Sequence, residues 1–150
     1  MIRNRIDLRF VIGALVIGLL AGLSSGWVAV DAEEKKLVEL ASKDLSLIHI
    51  LFAYIIVLPL CEELLFRYLV LEEWRRRNLG RFGLLVSSFW FAGAHVAVTN
   101  LSGGWIALSF IFILGLLAGV AYLRIGLLAA FSVHMVYNAA LFVVQAALFA

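Results

Sequence analysis

The sequence predicts an all-α fold, a polytopic transmembrane helical bundle with about five membrane helices. Three observations predict it. The chain is 65% hydrophobic with a mean hydropathy of +1.07, more apolar surface than a soluble domain of 150 residues can cover. Its apolar residues fall in runs close to the ~20 residues that span a bilayer. Its arginines, Arg67 excepted, gather before and between those runs rather than within them.

The first helix is expected at 10–30. It has a basic start, but it is too long for a signal-peptide core and no clear cleavage site follows, so it reads as a retained helix. The segment 31–46 reads as a solvated external loop. The second helix is expected at 47–74, with Pro59 as a kink or restart. The third is expected at 82–98, the fourth at 105–123, and the fifth from 127 almost to the end. Strands are excluded because continuous apolar runs in lipid must satisfy their own backbone groups. Residues 1–46 therefore form an N-terminal transmembrane helix and loop, and 47–150 form one membrane domain.

Charge sets the expected topology. Arg3, Arg5 and Arg9 precede the first helix, Arg75, Arg76, Arg77 and Arg81 join the second to the third, and Arg124 joins the fourth to the fifth. The opposite side holds Lys35, Lys36 and Lys43 among Asp31, Glu33, Glu34, Glu39 and Asp44. By the positive-inside rule the N-terminus is cytoplasmic and the C-terminus external. The arginines are accounted for by topology, and nothing points to nucleic acid. Trp27, Trp74 and Trp105 near helix ends read as interface anchors, and His49 as an interfacial histidine. Trp90 reads as lipid-facing or packed. Gly18–Gly22 and Gly115–Gly119 share the run Gly-Leu-Leu-Ala-Gly, in which small residues four apart allow close helix approach.

Few strongly polar residues lie within the runs. They are Glu62, Glu63 and Arg67 on the second helix, His95 on the third, and His134 and Asn138 on the fifth. A charged group at mid-bilayer costs roughly 2.5–3.5 kcal/mol on insertion scales, so such residues are paired or functional. Glu63 and Arg67 have the i,i+4 spacing of an ion pair. Glu62 is turned about 100° away and need not be neutralised by Arg67. His134 and Asn138 share one face. Glu62 and His95 lie at similar distances on either side of a turn near Leu79, hence at similar depth.

A carboxylate and an imidazole beside one water can act as general base and acid. A second imidazole and an amide are donors suited to an oxyanion. The same types also ligate zinc, with Glu62, His95 and His134 as the alternative ligands, although HExxH is absent and asparagine is a poor ligand. No cofactor is the preferred expectation. The single cysteine, Cys61, excludes an internal disulfide and is a weaker candidate as a thiolate nucleophile. No aspartate lies within a predicted helix core, which argues against an aspartyl dyad.

Three motifs in order complete the pattern: Glu62-Glu63-Leu64-Leu65-Phe66-Arg67 (EExxxR), Phe91 to His95 (FxxxH) and His134 to Asn138 (HxxxN). Over about residues 55–140 the chain resembles the CPBP family of intramembrane peptidases, also called the Abi or CAAX-protease-like family. The stretch from Leu114 through Gly115, Gly119, Tyr122, Arg124 and Gly126 resembles the family's penultimate region. The resemblance implies an endopeptidase acting on membrane-associated or lipidated peptides or proteins, in the plasma membrane of a prokaryote. It implies that Glu62 activates water with help from His134. His95 and Asn138 would stabilise the oxyanion, and Glu63, Arg67 and Phe91 would support the site. Family members usually carry further helices before the first motif, so a homo-oligomer is one way to supply missing walls. The alternative classes are a non-catalytic immunity or scaffold membrane protein and, less favoured, an ion or proton transporter.

Overall fold

The computed structural model of the chain describes residues 8–28, 49, 51–98 and 104–149. Five helices account for nearly all of them: α1 (Leu8–Val28), α2 (51–76), α3 (Gly80–Val98), α4 (Gly104–Arg124) and α5 (Leu127–Phe149). No strand occurs among the described residues. The expected helices are all present, with ends shifted by a few residues. The external loop expected at 31–46 and the side chain of Trp27 lie outside the described residues.

Trp105–Arg124 and Leu127–Leu148 are long and apolar enough to cross a membrane by themselves. In α1 the apolar stretch Ile12–Leu23 is shorter. The second and third helices carry the ionisable residues, which is why apolarity alone marks them less strongly. Large apolar side chains such as Leu20, Phe52, Leu69, Phe89 and Leu128 face outward. The protein is an integral membrane protein, and these side chains form its lipid-facing surface.

The packing order follows the small residues. α1 lies mainly along α5, α3 along α4, and α4 along α5, while α2 fills the remaining side against α3 and α5. A Cβ at Gly22 would stand 2.5 Å from the Tyr137 carbonyl and 2.8 Å from the Ala140 methyl. Gly115 meets Ser88 and Phe91 in the same way, and Gly119 meets Leu84. The two Gly-Leu-Leu-Ala-Gly runs thus bring α1 onto α5 and α4 onto α3.

Both tight turns are built by backbone chemistry. After α2, Asn78 takes φ 60° and Leu79 N–H donates to the Trp74 carbonyl at 2.9 Å, which is a Schellman closure with asparagine in the left-handed position. Between α4 and α5, Gly126 takes φ 127°. Trp74, expected as an interface anchor, packs edge-on against Phe82 with ring centroids 5.1 Å apart. Trp90 and Trp105 are exposed, and His49 is exposed as well.

The kink or restart expected at Pro59 takes the form of a restart, with α-helical register beginning at Leu58 and the proline in its first turn. The backbone stays right-handed helical throughout, but its hydrogen-bond register changes. Ala53–Val57 is π-helical, Leu58–Glu63 is α-helical, Leu64–Leu71 is π-helical again, and Glu72–Arg76 returns to α. Proline cannot supply the N–H of a regular helix. The change of register around it lets the helix continue without a break.

Candidate active site

α2, α3 and α5 converge on a polar cluster inside the bundle. The short α-helical turn Leu58–Glu63 delivers two adjacent carboxylates in different directions. Glu63 is fully buried, whereas the Glu62 side chain keeps 30% of its surface.

The two carboxylates meet the same imidazole from opposite edges. His134 Nδ1 lies 2.9 Å from Glu63 Oε1, and His134 Nε2 lies 3.4 Å from Glu62 Oε2. A carboxylate accepts, so Nδ1 carries a proton and the ring orientation is fixed. His95 approaches Glu62 from α3, with Nε2 3.8 Å from Oε1. Its Nδ1 is 2.9 Å from the Phe91 carbonyl one turn back, which accepts the Nδ1 proton. Glu62 therefore lies between two imidazole Nε2 atoms. Both separations exceed an ordinary direct hydrogen bond.

Arg67 answers the buried charge of Glu63. Its Nε lies 3.0 Å from Glu63 Oε2, and both side chains are fully buried. The pair is close but not aligned as a hydrogen bond, so charge rather than directionality holds it. The guanidinium also sits 5.2 Å from the centre of the Phe91 ring. Phe91 is the packing hub of the site. It is fully buried, meets Phe66 and His134 edge-on at 5.4 Å, and stacks at a tilt on His95 at 4.6 Å. Glu63, Arg67 and Phe91, expected to support the site, thus all lie in contact around it.

Asn138 follows His134 by one turn of α5 and is nearly buried. Its Nδ2 donates to the Tyr54 carbonyl at 3.1 Å. The origin of this bond can be traced along α2. The Leu58 N–H bonds the Ala53 carbonyl, which is π register. In that register the Tyr54 carbonyl faces residue 59, and proline has no N–H to give. The Asn138 amide supplies a donor instead and ties α5 to α2. Sequence reasoning did not anticipate this link. The signal for it was Pro59 inside an otherwise unbroken apolar helix.

The structure thus unites Glu62, Glu63, Arg67, Phe91, His95 and His134, with Asn138 one turn away on the Tyr54 carbonyl. Cys61 is exposed on α2 beside Glu62. Among the described residues no group of three or more His, Cys, Asp or Glu side chains takes up a metal-holding arrangement.

These features define the class: an integral membrane protein whose helical bundle encloses a carboxylate–imidazole cluster. Residues 44–140 match the family model for type II CAAX prenyl endopeptidases, Rce1-like. The chain belongs to this Rce1-like family of CAAX-type proteases. Every residue of the cluster lies inside the matched segment, and α1 lies outside it. Comparison with curated proteins and with solved structures gave no match.

Proposed function

We propose that this membrane endopeptidase cleaves membrane-associated, lipidated peptides or proteins with a water activated by Glu62. The observation that carries the proposal is the position of the Glu62 carboxylate between the Nε2 atoms of His134 and His95, at 3.4 and 3.8 Å. A water there is within reach of a general base and of a second polar partner.

The hydrogen bonds behind each ring favour the two histidines in roles exchanged from those implied by family resemblance. Behind His95 the Phe91 carbonyl accepts from Nδ1, which in the neutral ring makes Nε2 an acceptor able to help Glu62 hold the water. Behind His134 stands the Glu63 carboxylate, the counter-charge for a ring that enters the cycle with both nitrogens protonated and keeps both protons throughout. In that form Nε2 donates. Asn138, one turn along the same helix, has a second amide hydrogen beyond the one given to Tyr54. Together they make a pair of donors suited to the oxyanion of a tetrahedral intermediate. Water attacks the scissile carbonyl, its proton passes to Glu62, and Glu62 returns that proton to the leaving amine.

The chain's own residues carry this reading without a cofactor. The arginine-rich turns support a cytoplasmic N-terminus by the positive-inside rule and, with the family's prokaryotic members, a prokaryotic plasma membrane.

The test is cleavage of a library of membrane-anchored and prenylated peptides by purified wild type and Glu62→Ala, with and without chelator. Cleavage that is chelator-resistant and lost in the variant, with substrate binding retained, supports the glutamate-activated water. Cleavage that chelator abolishes and zinc restores overturns it. A folded wild type that cleaves nothing in the library overturns the substrate class.

A further inference from the structure

Among the described residues, the buried side-chain nitrogens and oxygens without a hydrogen bond are Glu63 Oε2 and Arg67 Nε, Nη1 and Nη2. All four atoms belong to one ion pair on α2, and both side chains are fully buried. Nε stands 3.0 Å from Oε2 but out of line, so the contact balances charge without using up a donor or an acceptor. A guanidinium keeps its proton and has only donors to offer. A buried ion pair is favourable only where further hydrogen bonds satisfy the protons and lone pairs left over.

The surroundings of the pair narrow what can satisfy it. The Phe91 ring lies 5.2 Å from the guanidinium carbon and offers a π face on one side, not an acceptor for each N–H. Ser87 and Ser88, one turn before Phe91 on α3, are fully buried and donate to the Leu84 carbonyl, which leaves their oxygens as acceptors. A ligand for the pair therefore has to accept from Arg67 and donate to Glu63 Oε2 at once. An anion only accepts, and it would meet two carboxylates, Glu62 and Glu63, for one arginine. A substrate group does not reach two side chains that have no exposed surface. Water is neutral, small, and both donor and acceptor, and buried waters characteristically bridge polar groups of this kind.

We infer that the Glu63–Arg67 pair binds a buried water, which accepts from a guanidinium N–H and donates to Glu63 Oε2. The serine oxygens on α3 are the acceptors offered to its second proton. With Oε2 held by water, Oε1 is left to His134 Nδ1, 2.9 Å away. The bound water thus completes the hydrogen bonds of the carboxylate that orients the imidazole. It is distinct from the reacting water, because Glu63 meets the His134 ring from the edge opposite Glu62. The site stands whether or not Glu62 activates water for hydrolysis.

The experiment is a crystal structure of the full chain grown in lipid, at a resolution that shows ordered solvent, with a second crystal soaked in bromide. The expected result is a solvent peak about 3 Å from Arg67 Nη1 or Nη2 and from Glu63 Oε2, unchanged by bromide. Direct bonds from both Nη atoms to protein oxygens overturn the inference, and so does a guanidinium with no solvent peak beside it. A peak that bromide replaces makes the ligand an anion and overturns it as well. Glu63→Leu combined with Arg67→Leu removes donors and acceptor together, an exchange that buried ion pairs often tolerate. The peak is expected to vanish there, and a peak that persists overturns the assignment to this pair. If the double variant does not fold, the two wild-type crystals decide the question alone.

Discussion

Glu63 Oε1 lies 2.9 Å from His134 Nδ1, a buried contact that joins the first motif on α2 to the last on α5. It makes Glu63 more than the partner of Arg67: the carboxylate orients the imidazole that faces Glu62. Carboxylate–imidazole pairs of this type commonly set both tautomer and ring angle. Glu63→Gln is therefore expected to lower kcat by about 100-fold with little change in KM. Steady-state kinetics on any cleaved peptide checks this, and a loss confined to KM would contradict it.

Phe91 touches Arg67, His95, His134 and Phe66 at once. Phe91→Leu keeps apolar volume but loses the flat ring faces that space the two imidazoles. Stability should fall by about 1 kcal/mol, whereas activity should fall at least tenfold. Melting temperature and initial rates measured on one preparation separate the two effects. A rate loss no greater than the stability loss explains would remove the positioning role.

The Asn138 bond to the Tyr54 carbonyl exists because Pro59 has no N–H to offer. Asn138→Ala should cost about 0.5–1.5 kcal/mol through loss of the side-chain hydrogen bond that ties α5 to α2. Adding Pro59→Ala restores a backbone N–H nearby, so the double variant should be more stable than Asn138→Ala alone. Its activity should stay low, since no side-chain donor returns. A double-mutant cycle in denaturant or heat reads the coupling, and strict additivity would refute the link.

Gly22 and Gly13 lie on the same helix in opposite circumstances. A Cβ at Gly22 meets α5 backbone at 2.5 Å, and one at Gly13 meets nothing within 4 Å. Gly22→Ala should push α1 off α5 and cost about 1–3 kcal/mol, while Gly13→Ala is neutral or slightly stabilising through helix propensity. Thermal melts of the two variants decide the matter, and equal behaviour would argue against α1 seated on α5.

Much of this was legible in the sequence, for identifiable reasons. The apolar runs gave five helices because lipid leaves the backbone few other choices. The i,i+4 spacings gave the Glu63–Arg67 pair and the shared face of His134 and Asn138 because helix periodicity is local. Glu62 turned away from Arg67 for the same reason. The link from Glu63 to His134 was not legible, because it depends on how α5 is rotated against α2. That rotation is set by tertiary packing and not by either helix alone. The Tyr54 carbonyl was missed because a kink or restart at Pro59 does not by itself say which carbonyl loses its donor. In the fold it is a change of register, and the proline's missing donor is made good by a side chain from another helix.

The two π-helical stretches of α2 bracket the turn that carries Glu62 and Glu63. A π turn holds an extra residue relative to the α turn it replaces. The helix therefore has slack in its length on both sides of the carboxylates. A one-residue deletion in 53–57 or in 64–71 can be absorbed where it falls, by a π turn tightening to an α turn. In a uniform α-helix the same deletion would rotate everything beyond it by about 100° and swing Glu62 away from His134. Drift in chain length along α2 can thus be tolerated while the two carboxylates keep their aim.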